Sequence, residues 1–292
     1  MPDERKAYAK INLALFITDK LPNGYHSLET IFAPINWFDT LWFSPSPTIE
    51  LTCSNPSLPT DSTNLCVRAA QALRERCGVE KGIRIHLEKN IPFGAGLGGG
   101  SSDAATTLNY LNRHWGLNLS KDELARLALS LGADVPYFLA MSGLAFAEGV
   151  GEKLVDLRST FPFPIVVAFP REEVSTAWAY KNLRLSFPRR APDCREALKN
   201  LIETGDARFL SAFENDFEPL VESAFPVVKS LKRTFLEFGA IKAMMTGSGS
   251  AVFGVFGDEA SAKRCCETLS RRFPASYTPP NFAITNADFV SF

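Results

Sequence analysis

From Pro92 to Asp103 the chain reads PFGAGLGGGSSD, with glycine at five of the seven positions between Gly94 and Gly100. Glycine takes positive φ without a Cβ penalty, so successive amide N–H groups in such a run can turn inward around an anion. The alternating apolar residues Ile83, Ile85 and Leu87 lead into the loop as a strand, and helical spacing follows from Asp103 to Trp115. A helix beginning at the loop adds the positive end of its dipole, and Ser101 and Ser102 add hydroxyl donors. The stretch Pro92, Phe93, Gly94, Ala95, Gly96, Leu97, Gly98, Gly99, Gly100, Ser101 and Ser102 therefore reads as a cradle for the phosphates of a triphosphate. It is not a Walker loop, because no Lys-Ser or Lys-Thr follows the last glycine, and regular βαβ repeats of a dinucleotide fold are missing from its flanks. A plain glycine hinge is the competing reading; the strand before the loop and the serines and helix after it favour phosphate.

The rest of the chain limits what such a cradle can serve. With 31 Lys plus Arg against 32 Asp plus Glu, the net charge is near zero. A global attraction to nucleic acid or to an anionic membrane is thereby excluded, and any polyanion must be held locally. The 46% hydrophobic and 22% charged content is that of a folded protein. The charged start MPDERKAYAK is unlike a secretory signal, and no run approaches the ~20 apolar residues of a membrane span, so a cytoplasmic location is expected. The six cysteines form no C-x-x-C pair, which argues for packed thiols and against zinc.

The elements that must position the loop follow from periodicity. Strand patterns occupy Lys6 to Ile17, Ser27 to Ile35, Thr40 to Phe43 and Thr48 to Cys53, broken by the turn Leu21-Pro22-Asn23-Gly24, and they predict an N-terminal antiparallel sheet. Helices are expected from Leu65 to Arg76, and after the capping box that opens at Ser120 and stops at Gly132, with a loop over Ala133-Asp134-Val135-Pro136. A composition change near residue 150 suggests two domains, 1–150 and 151–292. The second carries helical segments at Asp193–Glu203, Phe225–Phe238 and Asp258–Phe273 and strands at Ala240–Met244 and Ala251–Phe256. The fold class expected is α+β.

Three segments in this order resemble the three motifs of the GHMP kinases: Ala7 to Leu13 (AYAKINL), the glycine loop, and Met245 to Phe253 (MTGSGSAVF). The resemblance spans nearly the whole chain. It implies a two-domain architecture with the active site in the cleft between the domains, and ATP-dependent phosphorylation of an alcohol. The additional segments NGYHSLETIF (Asn23 to Phe32) and GADVPYF (Gly132 to Phe138) are similar to one branch of that family. Its acceptor is a cytidine-diphosphate sugar alcohol, phosphorylated on the way to isoprenoid precursors. Another small-molecule acceptor and a non-catalytic nucleotide-binding module are the alternatives.

The resemblance also assigns roles. Asp134 would act on the acceptor hydroxyl with Lys10 beside it, a pairing that suits a poor nucleophile attacking a charged phosphoryl group. By position alone Lys10 reads as a solvated strand residue and Asp134 as a turn residue ahead of Pro136. Asn12, two residues along the same strand, shares the face of Lys10. Tyr25, His26 and Tyr180 would form a cytidine pocket, with Trp178 the competitor of Tyr180. Gly247 and Ser248 of the third motif would close over the phosphates. Asn64 and Lys89 would border the nucleotide, although a helix cap and a solvent-facing strand end are equally open to them. Phosphoryl transfer implies Mg2+ bridging the β- and γ-oxygens; with no acidic cluster in the sequence, ATP, water and Ser102 would hold it. The partner expected is a small molecule, not nucleic acid or membrane, and the oligomeric state is left open.

Overall fold

The computed structural model describes residues 2–140 and 143–284. Two long strands dominate its first half. Strand β1 (Asp3–Lys20) pairs antiparallel with β2 (His26–Ser44), joined by the turn at Asn23-Gly24. The sequence reads β2 as two short runs separated around Asn36 and Trp37, yet it is continuous, because pairing with β1 carries the backbone through the polar interruption. The remaining strands β3 (Ile49–Cys53), β4 (Ile83–Glu88), β5 (Ala145–Glu148) and β6 (Lys153–Asp156) complete a six-stranded sheet of order β3-β4-β2-β5-β6, with β1 off that path against β2.

Helices α1 (Leu65–Cys77), α2 (Gly99–His114), α3 (Lys121–Leu131) and α4 (Val135–Ala140) pack on one face of this sheet. Leu73, Leu108, Leu124 and Tyr137 meet Leu41, Phe43 and Ile85 there. Helix α2 begins four residues before the expected Asp103, taking Gly99 and Gly100 into its first turn. The loop expected over residues 133–136 gives way to α4 at Val135, since proline is tolerated in a helix's first turn.

A second sheet has the order β10-β7-β9-β8, built from β7 (Ile165–Ala168), β8 (Ala240–Met245), β9 (Val252–Phe256) and β10 (Ala275–Thr278). Because β6 still belongs to the first sheet, the chain changes sheets between Asp156 and Ile165, and residue 150 falls in the β5–β6 turn. The far face of the second sheet packs on α7 (Glu218–Ala224), α8 (Pro226–Glu237) and α9 (Glu259–Ser270) through Val221, Leu231, Phe235 and Cys265. A shared core joins the halves: Ile11, Leu13 and Ile31 of the first sheet meet Val167, Phe253 and Val255 of the second, with α6 (Cys194–Thr204) closing it through Leu198 and Leu201. The short helix α5 (Thr176–Asn182) stands at the edge of the groove between the halves. No helix among the described residues is long and apolar enough to cross a membrane.

Candidate active site

The groove holds a cavity of about 500 Å3, and the glycine loop forms one wall. Within that loop Gly94, Gly96 and Gly98 have φ of +66°, +79° and +72°, while the alternate residues Ala95 and Leu97 bury their side chains. The alternation is the local design: apolar side chains pin the loop to the shared core, and the glycines turn the backbone between them. Two backbone bonds fix its height, from Ala251 N to Ala95 O (3.1 Å) and from Lys10 N to Leu97 O (3.1 Å). At Gly98 an added Cβ would sit 2.8 Å from the Phe138 ring and 3.2 Å from Lys10 Cε.

Lys10 projects from β1 into the base of this wall. Its side chain is 4% exposed, and its ammonium donates to Asn12 Oδ1 (2.7 Å) and to Gly96 O (3.3 Å) while standing 3.5 Å from Asp134 Oδ2. Asn12 is held in turn: its Nδ2 donates to Thr30 Oγ1 (2.7 Å), which donates to Ala14 O (2.6 Å), so Oδ1 is left to face Lys10. Asp134 lies between the end of α3 at Gly132 and the start of α4, and its side chain is 36% exposed to the groove. A buried cation thus faces an accessible carboxylate at the edge of an anion cradle, an arrangement suited to delivering a hydroxyl to a phosphate.

The third glycine segment lies against the first. Gly247 and Gly249 have positive φ, and a Cβ on Gly96 would come within 2.4 Å of Thr246 O, so the two loops touch backbone to backbone. Thr246 Oγ1 accepts from Asn12 N (2.8 Å), and Ser248 Oγ lies 3.0 Å from Thr176 Oγ1 at the start of α5. Gly247 and Ser248 both line the groove.

Several expected residues have other work as well. Ser101 lines the groove, whereas Ser102 is buried outside its lining, so of the two hydroxyls Ser101 is the one that faces the groove. Asn64 borders the groove and also caps α1, accepting from Cys66 N (2.9 Å). Lys89 is not solvent-facing. Its ammonium is buried between Asp39 Oδ2 (2.5 Å) and Asp103 Oδ2 (2.7 Å), while Asp39 Oδ1 accepts from the amides of Asn90 (2.6 Å) and Ile91 (2.8 Å). This triad ties β2, the segment entering the glycine loop and the first turns of α2 together. Burial pushes the Asp103 carboxyl up against the pull of the Lys89 ammonium, and Asp103 Oδ1 finds no hydrogen-bond partner among the described residues. Burial works against the charge on Lys89, yet Asp103 and Asp39 outweigh it and raise its pKa.

The expected aromatic residues meet only in part. Tyr25 stands 64% exposed at the turn after β1. The His26 ring stacks on Tyr180 at 4.9 Å and 20°, so a face of Tyr180 expected for a base is occupied by His26. Phe187 flanks His26 at 5.7 Å, and Phe217 meets Tyr180 edge-on at 4.9 Å. Tyr180 and Phe217 line the groove; Tyr25 and His26 lie outside its lining, and Trp178 packs against Phe225. Burial and then Lys20 lower the His26 pKa, which favours the neutral ring. Burial, then the Asp134 carboxylate, pushes the Tyr180 hydroxyl up to about 12. Phe217 and Asp39 lie outside every motif, and Thr30 and Asp103, although inside quoted segments, act through partners that the motifs do not reveal: Asn12 and Ala14 for Thr30, Lys89 for Asp103.

Comparison with known proteins matches residues 64–142 to the GHMP kinases N terminal domain and residues 194–275 to the GHMP kinases C terminal domain. A 4-diphosphocytidyl-2-C-methyl-D-erythritol kinase of Chloroherpeton thalassium is 56% identical over 94% of this chain and 97% of its own. One of Prosthecochloris aestuarii is 53% identical over 96% and 98%. A crystal structure of 4-(cytidine 5'-diphospho)-2C-methyl-D-erythritol kinase superposes with a TM-score of 0.80 at 37% identity, covering 94% of this chain and 98% of that one. Homoserine kinase from Cytophaga hutchinsonii, at 19% identity and a TM-score of 0.71, shares the fold.

Proposed function

The chain belongs to the GHMP kinases, and on that footing we propose that it transfers the γ-phosphoryl group of ATP to the 2-hydroxyl of 4-diphosphocytidyl-2-C-methyl-D-erythritol, a step toward isoprenoid precursors. The observation that carries the chemistry is Lys10, whose ammonium touches the glycine loop at Gly96 O and faces Asp134 across 3.5 Å. The loop amides and the start of α2 hold the phosphates. Asp134 orients the acceptor hydroxyl and takes its proton, and Lys10 offsets charge on the moving phosphoryl group. Asn12 keeps Lys10 aimed at the reacting centre.

Among the described residues no group of three or more His, Cys, Asp or Glu side chains is placed to hold a metal ion. Mg2+ commonly keeps several waters and binds through substrate phosphates with few protein oxygens, so the groove fits an ion that arrives on the nucleotide. Ser101, which lines the groove, would offer it a hydroxyl, and the ion would supply positive charge to offset that of the triphosphate. For the acceptor, exposed Tyr25 offers a face on which cytosine can stack, and neutral His26 offers a ring nitrogen to the base edge. Tyr180 supports His26 from behind. The near-neutral net charge suits a cytoplasmic enzyme acting on small molecules.

The test mixes the protein with ATP, Mg2+ and a panel of alcohols that includes the cytidine-bearing acceptor, homoserine and mevalonate, and follows ADP release. Fastest turnover on the cytidine-bearing alcohol is expected. Preference for either of the others would replace the acceptor assignment while leaving the kinase chemistry in place.

A further inference from the structure

Residues Glu214 to Glu218 form a strap with no sequence motif of its own, yet it touches three parts of the groove. Its backbone runs parallel to β1: Leu15 N donates to Glu214 O (2.8 Å), Asp216 N donates to Leu15 O (3.0 Å), and the Asp216 carboxylate accepts from Ile17 N (2.6 Å) while pairing with Arg189. Asn215 points inward and is 4% exposed. Its Nδ2 donates to both Met245 O (2.9 Å) and Gly247 O (2.9 Å), and its Oδ1 accepts from Phe217 N (3.0 Å). Glu218 finishes the hold, accepting from Met245 N (2.6 Å).

Both hydrogens of the Asn215 amide are thus spent on the third glycine loop, on the carbonyls at either side of Thr246. Positive φ at Gly247 and Gly249 gives that loop few conformational limits of its own, so its position must be imposed from outside. The next residue but one, Phe217, reaches the acceptor side, where its ring meets Tyr180, which carries His26. A single hydrogen-bonded segment therefore contacts the third glycine loop through one side chain and the Tyr180 side of the groove through another.

We infer that Asn215 is a positioning residue which sets the third glycine loop for the transferring phosphate, and that Phe217 links this setting to the aromatic support of the acceptor. The acceptor half of the inference rests on the function proposed above; the nucleotide half needs only the phosphate site. Asn215→Asp is nearly isosteric and keeps the acceptor for Phe217 N, but it exchanges two donors for a carboxylate oxygen facing two carbonyls. Leaving buried carbonyls unpaired is costly enough for an effect of about tenfold or more.

The experiment uses the full chain and three variants, Asn215→Asp, Phe217→Leu and the double substitution, each checked for native far-UV circular dichroism. Calorimetry with a non-hydrolysable ATP analogue, without acceptor, should show binding weakened about tenfold by Asn215→Asp and unchanged by Phe217→Leu. In turnover, Asn215→Asp should raise the ATP KM and lower kcat with little change in acceptor KM, whereas Phe217→Leu should raise acceptor KM. If the strap links the two, the double variant loses less than the product of the single losses in kcat/KM. Unchanged analogue binding in folded Asn215→Asp overturns the positioning role, and strictly multiplicative losses overturn the link. Should Asn215→Asp fail to fold, Asn215→Ser, which keeps one donor, takes its place in the same measurements. A wild-type enzyme inactive on the cytidine-bearing alcohol would count against the acceptor assignment and the link built on it, while the analogue-binding arm would still decide the positioning role.

Discussion

The Lys10 ammonium and the Asp134 carboxylate stand 3.5 Å apart at the lip of the glycine loop, the lysine buried and the aspartate open to the groove. The asymmetry suits their tasks: a cation held by Asn12 and Gly96 O stays fixed while substrate reaches the carboxylate. Asp134→Asn preserves shape and removes the proton acceptor. Turnover is expected to fall by about a hundredfold or more, the usual contribution of a general base. ATP affinity, measured by calorimetry, should change little; near-normal turnover would remove Asp134 from the mechanism.

Gly98 precedes α2 with φ of +72°, and a Cβ there meets the Phe138 ring and the Lys10 stem. Gly98→Val is therefore strained twice, once by the backbone and once by contact. The expected outcome is weaker ATP binding together with lower kcat, since displacing Lys10 also disturbs Asp134. Unaltered ATP affinity in a folded variant would count against the cradle.

The buried triad of Asp39, Lys89 and Asp103 gives a pH signature. Burial raises the Asp103 carboxyl above the ordinary carboxylate range, so over the interval between its unfolded and folded pKa the folded protein holds a proton that the unfolded chain has released. Stability from this group is present at low pH and is lost as pH rises past the ordinary carboxylate range and through the raised folded pKa, then levels off. Asp103→Asn removes the titration. Urea unfolding at several pH values should show the variant gaining on wild type across that window, and parallel curves would contradict the assignment.

How much of this was legible in the sequence depends on whether a residue acts through its neighbours in the chain. The glycine loop, the Ser120 capping box and the strand carrying Lys10 and Asn12 are local patterns, and each appears where periodicity and turn chemistry put it. Lys89 was legible as a residue bordering the loop but not as a buried one, because its burial is decided by Asp39, fifty residues earlier on β2, and by Asp103 on α2. Ser101 and Ser102 are indistinguishable by type; only where α2 begins decides which one faces the groove. Tyr180 was legible as an aromatic of the groove, but its stacking on His26 depends on how α5 docks against the β1–β2 turn.

Recognition of a cytidine group on the acceptor, with exposed Tyr25 as the stacking face, is the proposed basis of this kinase's choice of substrate. Base stacking on an aromatic is worth about 1–3 kcal/mol, which corresponds to roughly five- to a hundredfold in binding. The most direct measurement is steady-state kinetics with ATP on the full cytidine-bearing acceptor and on the free sugar-alcohol phosphate, for wild type and for Tyr25→Ala. Wild type should strongly prefer the full acceptor, and Tyr25→Ala should raise its KM by that factor while leaving the ATP KM unchanged. Equal phosphorylation of the truncated alcohol by wild type, or an unchanged acceptor KM in Tyr25→Ala, would contradict cytidine recognition at this site.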